Sequence, residues 1–189
     1  MGIRGINKLN NFKLNWRGPK VSTYSIALLG VLMALSVVVS KVGSIRLTRE
    51  LHLSVGFIVT IIIAFYFGPL WTAGINGIIN LLVFFMFPSG DPFFIGYTLS
   101  AVVAGLIYGL FFYPAKISVL RSIIAVSLVT LIVNLFMNGL WGSMLYHIPF
   151  KGVITARLLK QVLTLVPQII ISYLILKGVA TLKLESKLN

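Results

Sequence analysis

The chain has 189 residues, of which 58% are hydrophobic and 10% charged, and its mean hydropathy is +1.02. Soluble domains carry about 25% charged residues, and 3 acidic side chains cannot give a mixed-charge surface that faces water. The solvent must therefore be mostly lipid. The absence of cysteine excludes disulfides and thiolate metal sites. The formal charge of +13 does not indicate nucleic-acid binding, because membrane topology and anionic lipids already require basic residues beside apolar spans.

Apolar stretches long enough for membrane helices follow one another along the chain, since a spanning helix needs about 20 such residues. The predicted helices cover residues 22–42, 54–67, 70–87, 95–113, 119–146 and 153–181. The dipeptide Gly68-Pro69 separates the second from the third. We therefore predict an all-α membrane protein with six transmembrane helices in residues 21–182, a basic cytoplasmic segment 1–20 and a cytoplasmic tail 183–189.

The distribution of Lys and Arg sets the expected orientation. The side that holds both termini carries Arg4, Lys8, Lys13, Arg17, Lys20, Lys116, Arg121, Lys177, Lys183 and Lys187. The other side carries Lys41, Arg46, Arg49, Lys151, Arg157 and Lys160. The richer side should be cytoplasmic, and the cations left outside call for a reason of their own.

Small residues recur at helical spacing in two places. Ala101, Gly105 and Gly109 repeat every four residues in the fourth predicted helix, which lets another helix approach closely. We expect this ladder to pack within the chain. Gly30 and Ala34 form a shorter pair in the first helix, where packing within the chain and contact with a partner both stay open.

Polar side chains at membrane depth are candidates for function. Topology brings one group of them towards the external ends of the third, fifth and sixth helices. The group consists of Asn80, Asn134, Asn138, Trp141, Arg157, Lys160 and Gln161. Amides, an indole and a guanidinium suit a flat, hydrogen-bonding anion. Structural interhelical bonds for the asparagines, an interfacial position for Trp141 and snorkelling of the cations remain alternatives.

Catalytic chemistry finds no support in the residue pattern. No two carboxylates can be placed at membrane depth, and His52 and His147 lack the spacing of a metal site. We expect no catalytic residue, no metal and no cofactor. A phosphate-binding loop is also missing from the sequence, so ATP-driven work would need a partner that hydrolyses ATP.

Several stretches together resemble the substrate-binding S components of energy-coupling factor (ECF) vitamin transporters, and most closely their folate-type branch. They are Gly68-Pro69, 87–101 (FPSGDPFFIGYTLSA), 105–109 (GLIYG), 134–141 (NLFMNGLW) and 156–160 (ARLLK). The block 87–109 is the most specific of them, and the similarity reaches from the first helix to the middle of the sixth.

The resemblance implies a six-helix protein of a prokaryotic cell membrane that captures a vitamin, here folate, at the extracellular side. It also implies docking onto a separate transmembrane T subunit that is driven by two ABC-type ATPases. S components contact the T subunit through an Ala-x-x-x-Ala pattern in the first helix. Gly30 and Ala34 match this pattern with glycine in place of the first alanine.

Two departures from the folate-type pattern keep other ligands open. Asn138-Gly139-Leu140-Trp141 stands where the branch has Asn-Thr-x-Trp, and Gly77-Ile-Ile-Asn80 lacks the acidic residue that usually follows this glycine. A vitamin or precursor of the hydroxymethylpyrimidine or pyridoxine type is therefore an alternative ligand. A membrane scaffold protein without transport activity is the alternative of a different class.

Overall fold

The computed structural model describes residues 18–19, 22–42, 44–46, 52–88, 92–113 and 117–181. Most of the predicted segment 1–20 and the whole tail 183–189 therefore lie outside the described residues. The same holds for all three carboxylates, Glu50, Asp91 and Glu185.

Helices make up almost all of the described chain, as predicted. They are α1 (Thr23–Val42), α2 (Phe57–Met86), α3 (Ile95–Phe112), α4 (Val119–Leu128), a π-helical segment (Val129–Met137), α5 (Asn138–Tyr146) and α6 (Phe150–Thr181). Among the described residues, five helical stretches are long and apolar enough to cross a membrane. These five are Thr23–Ser40, Phe57–Met86, Ile95–Phe112, Val119–Tyr146 and Gln161–Thr181.

A short antiparallel hairpin between α1 and α2 was not predicted. It pairs β1 (Ser44–Arg46) with β2 (His52–Ser54), and Ile45 lies opposite Leu53. Three-residue strands carry too little periodic signal to be recognised in a sequence dominated by long apolar runs.

The chain reverses direction inside α2, at the predicted Gly68-Pro69 break. Gly68 has φ 78° and ψ −177°, a backbone conformation that residues with a side chain rarely adopt. The Thr60 hydroxyl donates a hydrogen bond to Asn76 Oδ1 at 3.3 Å. In a straight helix these residues would be about 24 Å apart. The arms 57–67 and 69–86 therefore fold back on each other, which confirms the predicted break.

The second arm of α2 packs closely against α3 through glycine. A Cβ atom on Gly105 would lie 2.6 Å from the Thr72 carbonyl oxygen, and one on Gly109 would overlap the Cα of Pro69. Because the obstructing atoms belong to the backbone, neither helix can yield locally. The ladder on α3 thus serves packing within the chain, as predicted.

The first arm of α2 forms the centre of the molecule. Ile61, Ile63 and Phe67 are each at most 1% exposed. Around it, α1 and α6 keep large apolar side chains exposed, among them Val31, Val162 and Leu163. Such a surface matches a lipid environment, since apolar side chains are stable there without burial in protein.

The predicted fifth helix, 119–146, is confirmed in extent but not in kind. Its middle third is the π-helical segment Val129–Met137, whose hydrogen bonds span five residues in place of four. Hydropathy does not distinguish these two geometries, so the sequence predicted a uniform α-helix.

Candidate functional site

Trp141 belongs to α5, and its side chain packs against the start of α3. Its indole N–H donates a hydrogen bond to the Ser100 hydroxyl at 3.0 Å, and its ring centroid is 5.6 Å from that of Phe94. Ser100 is only 2% exposed. The indole is therefore held by a buried partner on a neighbouring helix.

Gly96 provides the space that this indole occupies. A Cβ atom on residue 96 would lie 2.6 Å from Trp141 Cδ2 and would overlap the ring of Phe94. Gly96 and Ser100 are four residues apart and share one face of α3. This face of α3 forms the seat of the indole.

Asn138 presents a buried acceptor close to Trp141 in sequence. Its Oδ1 atom is buried and, within the part of the chain that the structure describes, has no hydrogen-bond partner. A buried carbonyl left in this state is costly. A donor supplied by a ligand would satisfy it.

α6 approaches the π-helical segment through Arg157. Its Nη1 atom donates to the Asn134 carbonyl oxygen across a long 3.5 Å contact. Gln161, one turn further along α6, is 7% exposed. The structure thus brings Arg157 to Asn134, and places Gln161 one turn further along α6 in a buried position. The side chain of Lys160 lies outside those that the structure describes.

Asn80 lies against a different face of α3 from Trp141. Its Oδ1 atom accepts a hydrogen bond from the Thr98 hydroxyl at 2.9 Å. Thr98 and Ser100 are two residues apart, so their side chains leave the helix in nearly opposite directions. Asn80 is therefore engaged between α2 and α3, while the indole lies between α3 and α5.

Asn76, one turn deeper, is engaged on both sides of its amide. It accepts from Thr60 and donates to the Ala101 carbonyl oxygen at 3.4 Å. Both contacts of Asn76 join parts of the fold, so it forms structural bonds between helices.

The glycine that replaces threonine in the Asn-Thr-x-Trp pattern faces α6. A Cβ atom on Gly139 would lie 3.6 Å from Ile154 and 3.6 Å from Phe150. A threonine side chain at position 139 would thus point towards α6 and away from Ser100. This departure leaves the seat of Trp141 intact.

A shallow pocket with room for no more than about one water molecule lies at the opposite end of the bundle, near Gly68. Its lining consists of Phe65, Phe111, Phe112, Ile117, Ser118, Arg121 and Leu176. The wall is mainly aromatic and aliphatic, and Arg121 donates to the Phe111 carbonyl oxygen at 3.4 Å. It is separate from the Trp141 site.

Sequence reasoning did not single out Phe94, Gly96 or Ser100. All three fall in the block 87–109, whose specificity was recognised as a whole. Gly96 and Ser100 have the same four-residue spacing as Ala101, Gly105 and Gly109 but lie on a different face of the helix. A search for small residues on every face of this helix would have found them.

Comparison with known proteins identifies the family. A family model described as ECF transporter, substrate-specific component, matches residues 24–180. A folate transporter FolT of Leuconostoc mesenteroides is 36% identical over 178 residues, which cover 90% of this chain and 94% of that protein. One of Clostridium novyi is 34% identical over 156 residues, 82% of this chain and 90% of that protein.

A solved structure agrees with these relatives. The crystal structure of FolT bound with folic acid superposes with a TM-score of 0.75 at 35% identity. The match covers 80% of this chain and 92% of that one. These similarities extend over most of the helical domain, as the motifs led us to expect. The chain belongs to the substrate-specific components of ECF transporters.

Proposed function

We propose that this chain is a folate-binding S component that captures folate at the extracellular side of a prokaryotic cell membrane. The observation that carries the proposal is its similarity to proteins named folate transporter FolT, at 36% identity over nine-tenths of the chain. The structural match to FolT bound with folic acid supports the same ligand. Glycine in place of threonine at position 139 leaves the contacts of Trp141 with α3 unchanged. This departure therefore no longer favours a ligand of the hydroxymethylpyrimidine or pyridoxine type over folate.

All but one of the candidate side chains have a role that their chemistry fits. The ring face of Trp141 stacks on the flat heterocycle of folate. The Oδ1 atom of Asn138 accepts a hydrogen bond from the ring edge, with Asn134 contributing a further amide group. Asn80, engaged by Thr98 on another face of α3, is left out of this contact. Arg157 binds a carboxylate, Gln161 supports it from one turn away, and Lys160 adds positive charge.

The proposed topology has six transmembrane helices and cytoplasmic termini. Two contacts support it at the Gly68 end of the bundle. Gly18 lies against Trp71 and Phe67, and the Tyr66 hydroxyl donates to the Val179 carbonyl oxygen at 3.1 Å. The first and last described parts of the chain therefore meet at one end, as an even number of passages requires. Trp141 belongs to the other end, which is extracellular in this topology.

The proposed partners are a T subunit in the membrane and two ABC-type ATPases that act through it. Gly30 and Ala34 would contact the T subunit. Both are exposed, and a Cβ atom on Gly30 would have no neighbour within 4 Å. This surface of α1 is open for close approach by another helix.

A ligand panel on the purified protein tests the proposal. Folate is expected to bind without ATP and to raise the midpoint of thermal unfolding, because a ligand that binds only the folded state stabilises it by mass action. Hydroxymethylpyrimidine, pyridoxine and thiamine at equal concentration serve as controls. Stabilisation by one of these and not by folate would contradict the assignment. No response to any vitamin would favour a scaffold protein.

A further inference from the structure

The indole of Trp141 has one hydrogen-bond donor, and α3 already uses it. Tryptophan carries no other polar group. With its N–H on the Ser100 hydroxyl at 3.0 Å, the indole can offer a ligand its ring face but not a donor. Ser100 is buried and contacts the indole at its N–H edge, which leaves the ring face to other groups.

The same face of α3 limits where the ring can lie. Gly96 stands one turn before Ser100, and any Cβ atom there would collide with Trp141 Cδ2 at 2.6 Å. Phe94 flanks the indole at 5.6 Å with its ring tilted by 47°. The position of the indole is therefore set by three neighbours on α3 and its N-terminal boundary.

We propose that Ser100 and Gly96 are positioning residues of the vitamin site, which hold Trp141 so that its ring face meets the flat heterocycle. This inference rests on the proposed function. Neither residue touches the vitamin; both act through the indole. Ser100 fixes the rotation of the ring through the N–H, and Gly96 lets the ring lie against the α3 backbone.

A consequence for specificity follows from the occupied N–H. Stacking on a π face tolerates many heterocycles, because it does not read their donors and acceptors. Discrimination between vitamins then falls on hydrogen-bonding groups such as the buried Oδ1 atom of Asn138. Loss of Ser100 should accordingly weaken all stacked ligands by a similar factor without changing their rank order.

A double-mutant cycle tests the positioning role. Ser100→Ala is expected to weaken folate binding about fivefold, the size of one net hydrogen bond. In a Trp141→Phe background the same substitution should change the dissociation constant by less than about twofold, since phenylalanine has no N–H to hold. An equal loss in both backgrounds would overturn the proposal. Ser172→Ala is the matched control, because Ser172 is buried but bonds within α6 to the Gln168 carbonyl oxygen.

Spectroscopy without ligand separates this inference from the proposed function. Trp16 and Trp71 are the other two tryptophans, so replacing both by phenylalanine leaves Trp141 as the sole indole. Ser100→Ala and Gly96→Ala should each shift its fluorescence and near-ultraviolet circular dichroism, and Ser172→Ala should not. Unchanged spectra would overturn the positioning role even if folate binds. Shifted spectra in a protein that does not bind folate would refute the proposed function alone.

Discussion

Arg157 joins α6 to the π-helical segment. Its guanidinium contacts the Asn134 carbonyl oxygen, and α6 carries it into the bundle at the end where Trp141 lies. In the proposed function a ligand carboxylate binds this guanidinium in a bidentate fork, the geometry that arginine matches best. Under the proposed topology Arg157 lies on the extracellular side, where a carboxylate ligand gives its positive charge a role.

The first prediction at the residue scale concerns the anionic part of the ligand. Arg157→Gln should weaken folate binding by about tenfold or more, because a charge-assisted bidentate contact is lost. A neutral folate diester should lose less than about threefold. The measurement is the dissociation constant of each ligand by titration calorimetry or fluorescence quenching.

Lys151→Gln is the matched control for Arg157→Gln. Lys151 is an exposed cation at the start of α6, so its loss removes the same charge without removing the proposed contact. Equal losses for folate and its diester, or equal losses in the two variants, would argue against a guanidinium–carboxylate contact.

The pairing of α2 with α3 is the element-scale feature that gives the site its framework. The second arm of α2 lies against α3 from Gly109 at one end to Thr98 at the other, where Asn80 accepts its hydrogen bond. α3 in turn holds Trp141 through Ser100. A change in the spacing of α2 and α3 would therefore reach the site through α3.

Gly109→Ala should destabilise the protein by about 1–3 kcal/mol, because the added methyl group overlaps backbone atoms of Pro69 that cannot move aside. Gly74→Ala is the control. Gly74 is an exposed glycine in α2 with no atom within 4 Å of a Cβ position, so alanine there should stabilise by up to about 1 kcal/mol. Thermal unfolding in detergent gives both values. A Gly109→Ala variant as stable as the unsubstituted protein would refute the close approach.

Exposure of α1 matters at the scale of the whole molecule. Ala34 and Gly30 lie on its open surface together with large apolar neighbours such as Val31 and Val38. In the proposed function this surface is where the T subunit docks, and small residues there permit a close approach between helices.

Gly30→Leu is expected to reduce co-purification of a T subunit at least severalfold while leaving folate binding intact, since a large side chain keeps the helices apart. Gly74→Leu tests whether any bulky residue on an exposed glycine has this effect, because a Cβ atom there also meets open space. Retention of the complex by Gly30→Leu, or its loss in both variants, would exclude α1 as the docking surface.

Much of the fold could be predicted because a chain in lipid must satisfy its backbone hydrogen bonds internally. Long apolar runs had to become helices, since unpaired backbone groups are costly in hydrocarbon. Gly68-Pro69 had to interrupt one, and the glycine ladder of α3 had to permit a close approach. The family followed from short motifs spread over most of the chain.

Only the tertiary structure decided which polar residues contact one another. Spacing placed Asn134, Asn138 and Trp141 on one helix but could not show that Ser100 takes the indole N–H, or that Gly139 faces α6. It also could not separate Asn80 from Trp141 on α3, or reveal the π-helical segment. Hydropathy reflects how strongly each residue prefers lipid, and this preference determines where the membrane helices lie in the sequence. Hydrogen bonds and close contacts between helices depend on their rotation about their axes, and only packing fixes that rotation.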